Sequence, residues 1–120
     1  MDSAALKNRT RGFAIAVARV MAPLLRSPLG RHAADQGIRS SASVAANYRA
    51  ACRARSKADF IAKMGVVEEE ADESDLWLSV VEELGLVPAQ VTGPLRQEAT
   101  ELTRIAVASI NTARGGPRET

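Results

Sequence analysis

Arg39, Asn47, Glu70 and Glu73 are the residues of this chain whose types could do chemistry together. A glutamate whose pKa is raised by burial can serve as a general acid or base. At 100° per residue on a helix, Glu70 lies beside Val67 and Ser74 on the border of an apolar stripe, with Trp77 on the same side. The same polar residues can instead satisfy one another inside a fold, because a guanidinium bridges a carboxylate in bidentate fashion. No nucleophile with a base, no metal-ligand cluster and no phosphate-cradling glycine loop accompanies them. The structural role is therefore favoured, and neither an enzyme activity nor a cofactor is expected. One histidine and one cysteine, His32 and Cys52, make no zinc site by themselves and no internal disulfide. His32, near a helix start and without an evident partner, reads as solvated, and Cys52 as a small buried hydrophobe.

The elements that would position these residues are helical. A chain of 120 residues with 46% hydrophobic and 3% aromatic content forms one domain whose core comes from Leu, Ile, Val, Met and Ala. No apolar run approaches the ~20 residues that cross a bilayer. The first twenty residues alternate Arg with apolar positions and lack a signal-peptide core. A cytoplasmic protein without a membrane partner is expected.

Four helices are predicted, at about 3–25, 31–55, 57–84 and 93–114, forming a single domain over 1–114 with a flexible tail at 115–120. Leu6, Phe13, Val17, Val20 and Leu24 recur at helical spacing in the first, with Pro23 marking a kink or an early end. The third opens at Ser56, three residues before Asp59 in a near capping box, and closes at Gly85. Phe60, Met64, Val67, Ala71, Leu78 and Val81 form its stripe, and Trp77 is read as a core aromatic. In the fourth, Leu95, Ala99, Leu102, Ala106, Ser109 and Ile110 face inward, Thr92 is a possible cap, and Pro94 suits the first turn. Short links favour an all-α, antiparallel up-down-up-down four-helix bundle.

The second helix is unusual. Ile38, Ala42, Ala45 and Cys52 fall on one side, while Ser40, Ser43, Ala46, Asn47 and Ala50 lie across the axis where a surface helix normally carries Lys and Glu. Alanine is the best helix former, so a solvated face is one reading. The favoured one is packing on two sides, against the chain's own bundle and against a neighbouring copy. Ile15, opposite the first helix's stripe, is a further interface candidate.

The stretch from Gln36 to Leu78 resembles the centre of a four-helix bundle family first known from intervening sequences in bacterial large-subunit ribosomal RNA genes. That family's Q-x-x-R-S-x-x-S-x-x-x-N pattern falls on Gln36, Arg39, Ser40, Ser43 and Asn47. Its later motifs fall on Ser56 and Phe60, then on Glu70, Ala71, Glu73, Ser74, Trp77 and Leu78. Ala50 stands where many members carry glutamate, and Ser74 where threonine is commoner. The resemblance implies a ring-shaped homopentamer. It extends to the accessory variability protein of diversity-generating retroelements, a basic barrel that binds nucleic acid and a reverse transcriptase.

Charge supplies the remaining functional signal. Met1–Lys57 carries eleven Lys or Arg against two Asp, a balance of +9, and the rest five against twelve, a balance of −7. Cancellation between neighbouring helices is the plain alternative. Uncancelled arginines repeated around a ring would attract phosphate backbones of RNA or DNA. Arg49, Arg53, Arg55 and Lys57 form the densest group, and Lys7, Arg9, Arg11 and Arg19 the second. The low aromatic content disfavours base stacking. Two functions are weighed: a nucleic-acid-binding assembly with little sequence preference, and a protein-interaction scaffold.

Overall fold

A computed structural model describes residues 1–116, most of them helical. Helix α1, Ser3–Met21, starts where the Asp2 side chain accepts the backbone N–H of Ala5 at 2.8 Å. Its buried face is Leu6, Thr10, Phe13, Val17 and Met21, while Val20 and Leu24 are only half-buried. The α-helical part stops short of the expected Leu25. Pro23 takes the start of a 3-10 turn over Ala22–Arg26, since proline donates no hydrogen bond and suits a first turn.

Helix α2, Arg31–Ala51, is four residues shorter than predicted. Its core face is also not the one expected. Ala33, Ala34, Gly37, Ser40, Ser41, Val44, Tyr48 and Ala51 are buried, whereas Ile38, Ala45 and Cys52 are half-buried and Ala42 is exposed. Every residue that faces the core between Ala33 and Ser41 is Ala, Gly or Ser. Gly37 is needed for space: a Cβ there would come within 2.7 Å of Met21 Cε. The second helix thus receives large side chains from its neighbours and sends few out.

Helix α3, Lys57–Glu83, is the longest element. Ser56 Oγ accepts the Asp59 N–H at 3.0 Å. At the other end Gly85 adopts φ 72°. There the Leu86 N–H donates to the Val81 carbonyl and the Gly85 N–H to the Glu82 carbonyl, each at 3.0 Å, a Schellman closure. The predicted apolar stripe of α3 is buried from Met64 to Val81, with Phe60 half-buried and Ser74 added to it.

Helix α4, Ala89–Ala113, starts a full turn before the expected Gly93 or Pro94, so Pro94 lies inside it. Thr92 is therefore not a cap. Its hydroxyl is buried and donates to Glu82 Oε1 at 2.5 Å, which ties the extra turn to α3. Pro88, in extended backbone, takes the capping position. The single hydrogen bond that Pro94 forgoes is offset by this tether and by the packing of Leu86 and Val87 against the core.

The chain is an all-α four-helix bundle measuring 48 × 26 × 20 Å. Helices pack in cyclic order, α1 on α2, α2 on α3, α3 on α4 and α4 back on α1, with α1 and α3 on the diagonal. The α1–α4 closure is the thinnest. Arg9 reinforces it with two bonds to Glu98, both 2.7 Å. The predicted tail at 115–120 falls mostly outside the described residues.

Two glycines, one within α3 and one just past its end, separate helix propensity from backbone strain. Gly85→Ala should lower unfolding free energy by about 1–2 kcal/mol, because φ 72° is the left-handed region. At Gly65 an added Cβ meets nothing, so Gly65→Ala should raise it by about 0.5–1 kcal/mol. Denaturant unfolding of both variants checks the pair.

Candidate functional site

The recurring motif converges at the seam between α2 and α3, but in two layers. The inner layer is a pair of serines. Ser40 and Ser74 are fully buried and their hydroxyls lie 2.9 Å apart. Ser74 donates to the Glu70 carbonyl at 2.8 Å. A hydroxyl has one proton, so with that proton committed Ser74 accepts from Ser40. A directional chain results, from Ser40 through Ser74 to the backbone of α3.

The outer layer is charged, and it lies on the surface of the seam instead of inside the bundle, as the sequence had suggested. Arg39 is 46% exposed. Its guanidinium donates to Glu70 at 2.9 and 3.3 Å and also to Glu73, while its Nε donates to Gln36 at 3.2 Å. Glu73 in turn accepts the Trp77 indole N–H at 3.0 Å. That bond is the main reason the Glu73 carboxyl is held below its ordinary range, with Arg39 contributing further. The glutamates, Glu70 first and Glu73 second, hold the Arg39 guanidinium above its ordinary range. A carboxylate already accepting from both Arg and Trp is not poised to take a substrate proton. The outer layer is a clamp.

The remaining motif residues have other partners. Asn47 does not join the clamp: its amide donates to the Ser43 carbonyl and to Ser43 Oγ, both at 2.9 Å. Ser56 caps α3, and Phe60 packs half-buried in the following turn. His32 is exposed as read from the sequence, yet it has a partner. Its ring meets Trp77 edge-on, with centroids 5.4 Å apart. A histidine one residue inside a helix start gave no signal of this, since the contact joins residues 45 positions apart in sequence. Trp77 is half-buried, so it covers the seam and is not a core filler. Among the described residues, no three of His, Cys, Asp and Glu form a group that could hold a metal.

The basic residues separate into groups that sequence spacing did not distinguish. Arg9 is spent on Glu98. Lys7, Arg11 and Arg49 border a shallow groove between α1 and α2. Arg53, Arg55 and Lys57 cluster at the α2–α3 turn, all exposed, and Arg19 stands alone on the outside of α1. Of the eleven cations in residues 1–57, only Arg9 and Arg39 form ion pairs among the described residues. The acidic C-terminal half therefore does not neutralise the basic N-terminal half side chain by side chain. Arg96, with Asp75 at 2.8 Å and Glu82 at 3.7 Å, binds two of the acids within that half.

The family described as 23S rRNA-intervening sequence protein matches residues 6–108, nearly the whole bundle. The chain belongs to that family. A crystal structure of a protein of unknown function from the S23 ribosomal protein family of Bacteroides thetaiotaomicron superposes with a TM-score of 0.80 at 26% identity, covering 87% of this chain and 96% of that one. No curated protein matches it in sequence. The family assignment and the bundle agree with the motif that runs from Gln36 to Leu78. No helix is long and apolar enough to cross a membrane among the described residues.

The clamp carries a pH signature with a definite sign. Glu73 has a folded-state pKa below its unfolded value of about 4.3, so its stabilising contribution is complete above that value and is lost as pH falls through the lowered one. Glu73→Gln should flatten the stability profile below about pH 4.3 without altering its shape near neutrality. Thermal unfolding across an acid series checks this, and an unchanged acid limb would dismiss the clamp.

Proposed function

We propose that the protein is a non-enzymatic homo-oligomer that holds RNA or DNA by its phosphate backbone, with little sequence preference. The supporting observation is the set of cations on the first two helices and the turn after them that form no ion pair among the described residues. Phosphate contacts from Lys and Arg release condensed counterions and give affinity without base readout. Arg53, Arg55 and Lys57 suit this role best. They sit at one end of the bundle with no carboxylate engaged among the described residues, and the turn projects all three from within five residues.

Assembly multiplies this patch. A closed ring, five-membered on the resemblance stated above, repeats each cluster once per subunit around the axis. A few surface charges then become a continuous positive band, and association rates rise with it. The occupied carboxylates of the seam favour a binding role over a catalytic one. A protein-interaction scaffold, with a reverse transcriptase among its candidate partners, is the second reading, and the exposed hydrophobics Leu25, in the 3-10 turn, and Leu29, just after it, favour it.

The test is generic RNA and DNA binding over a salt series. Affinity should fall linearly in log–log form, and Arg53→Glu with Arg55→Glu should weaken it and make the slope shallower by about one unit for each phosphate no longer neutralised. The doubly substituted protein should keep its oligomeric mass. Absence of binding at physiological salt, with another protein retained on the wild-type chain, would replace this reading by the scaffold.

A further inference from the structure

We propose that the groove between α1 and α2 seats the acidic outer edge of α3 from a second copy of this chain. The proposal rests on the oligomer reading above and names the surfaces that make it. The groove has a volume of about 570 Å³ and opens to solvent along both helices. Its floor is Ala14, Ile15, Ala42, Ala45 and Ala46, and no side chain on that floor is longer than isoleucine. Ile15 is 37% exposed there. The rim is positive, with Lys7 and Arg11 one turn apart on α1 and Arg49 facing them from α2. None of the three forms an ion pair among the described residues.

The complementary surface lies on a different part of the same molecule. Glu69, Asp72 and Leu76 are exposed along the outside of α3, at the three- and four-residue spacings that align side chains on a helix. Leu76 is 51% exposed, an apolar knob next to two carboxylates that engage no cation of their own chain among the described residues. Seating Leu76 over the alanines would bury apolar surface on both partners, and would bring Glu69 and Asp72 within reach of the Lys7, Arg11 and Arg49 rim. Short floor side chains allow a neighbouring helix to come close, and large ones would hold it off.

Symmetry follows from where the two surfaces are. The groove is lined by residues of α1 and α2 and the acidic edge belongs to α3, so the donor and acceptor surfaces are distinct patches. A contact between unlike patches is heterologous and propagates head to tail until rotation closes it into a ring. A two-fold dimer would require one patch to meet itself, and here each patch would repel its own copy. This assembly also divides the cations. Lys7, Arg11 and Arg49 hold the next subunit, leaving Arg53, Arg55 and Lys57 for phosphate.

Charge reversal tests the pairing. Arg11→Glu with Arg49→Glu should reduce the mass by light scattering to the 12.8 kDa subunit, with native helical circular dichroism. Glu69→Lys with Asp72→Lys should do the same. A chain carrying all four substitutions should recover the wild-type mass, because both surfaces have exchanged sign. A wild-type protein that is monomeric at micromolar concentration overturns both this proposal and the oligomer reading. An oligomer whose mass survives the groove substitutions overturns this assignment alone. Failure of the fourfold variant to reassemble overturns the pairing of these two surfaces.

Discussion

The close approach of α2 to α3 is the constraint on which the rest of this bundle depends. Ser40 and Ser74 leave little side-chain volume at the crossing, so the two helices approach closely and whatever is polar between them must be satisfied there. The serine pair does this with a hydrogen-bond chain that ends on the α3 backbone, and no buried side-chain polar atom is left without a partner among the described residues. Core volume is supplied from elsewhere, by Met21, Met64, Leu78 and Leu102. Arg39 then spans the crossing from outside. An unpaired buried hydroxyl costs about 1–3 kcal/mol, so the inner layer must form as a unit or not at all.

That seam also sorts the charges. Glu70 and Glu73 engage Arg39, Asp75 and Glu82 engage Arg96, and Glu98 engages Arg9. The acids nearest other helices are thus consumed in tying the bundle together. Among the described residues, five of the eight acids left over lie on α3, and nine of the twelve cations left over lie in residues 1–57. The result is a basic N-terminal half and an acidic α3, a distribution that a net charge of +2 conceals.

Much of this was legible in the sequence where a periodic pattern met a local stop signal. Helix α3 is the clearest instance, since its apolar stripe, the Ser56 cap and the Gly85 closure all depend on neighbours within a few residues. The core side of helix α2 was not legible, because hydrophobicity cannot rank Ala, Gly and Ser, and the buried face is chosen by what can come close, not by what is apolar. The start of α4 was displaced by a tertiary contact, the bond of Thr92 to Glu82, that overrode the usual preference for proline in a first turn. Of the motif residues, Arg39, Ser40, Glu70, Glu73, Ser74 and Trp77 do gather at one seam. The placement of the charged ones on its outside was not visible, because Arg39 can reach two carboxylates from either side of a helix crossing.

The indole of Trp77 is the chain's single tryptophan, and it is bound on one edge by a carboxylate and approached on another by an imidazole. Its emission therefore originates at the α2–α3 crossing and nowhere else. Separation of the two helices would expose that ring and shift its colour toward that of water-exposed indole. The molecule thus carries an intrinsic optical gauge for the opening of its fold at that crossing.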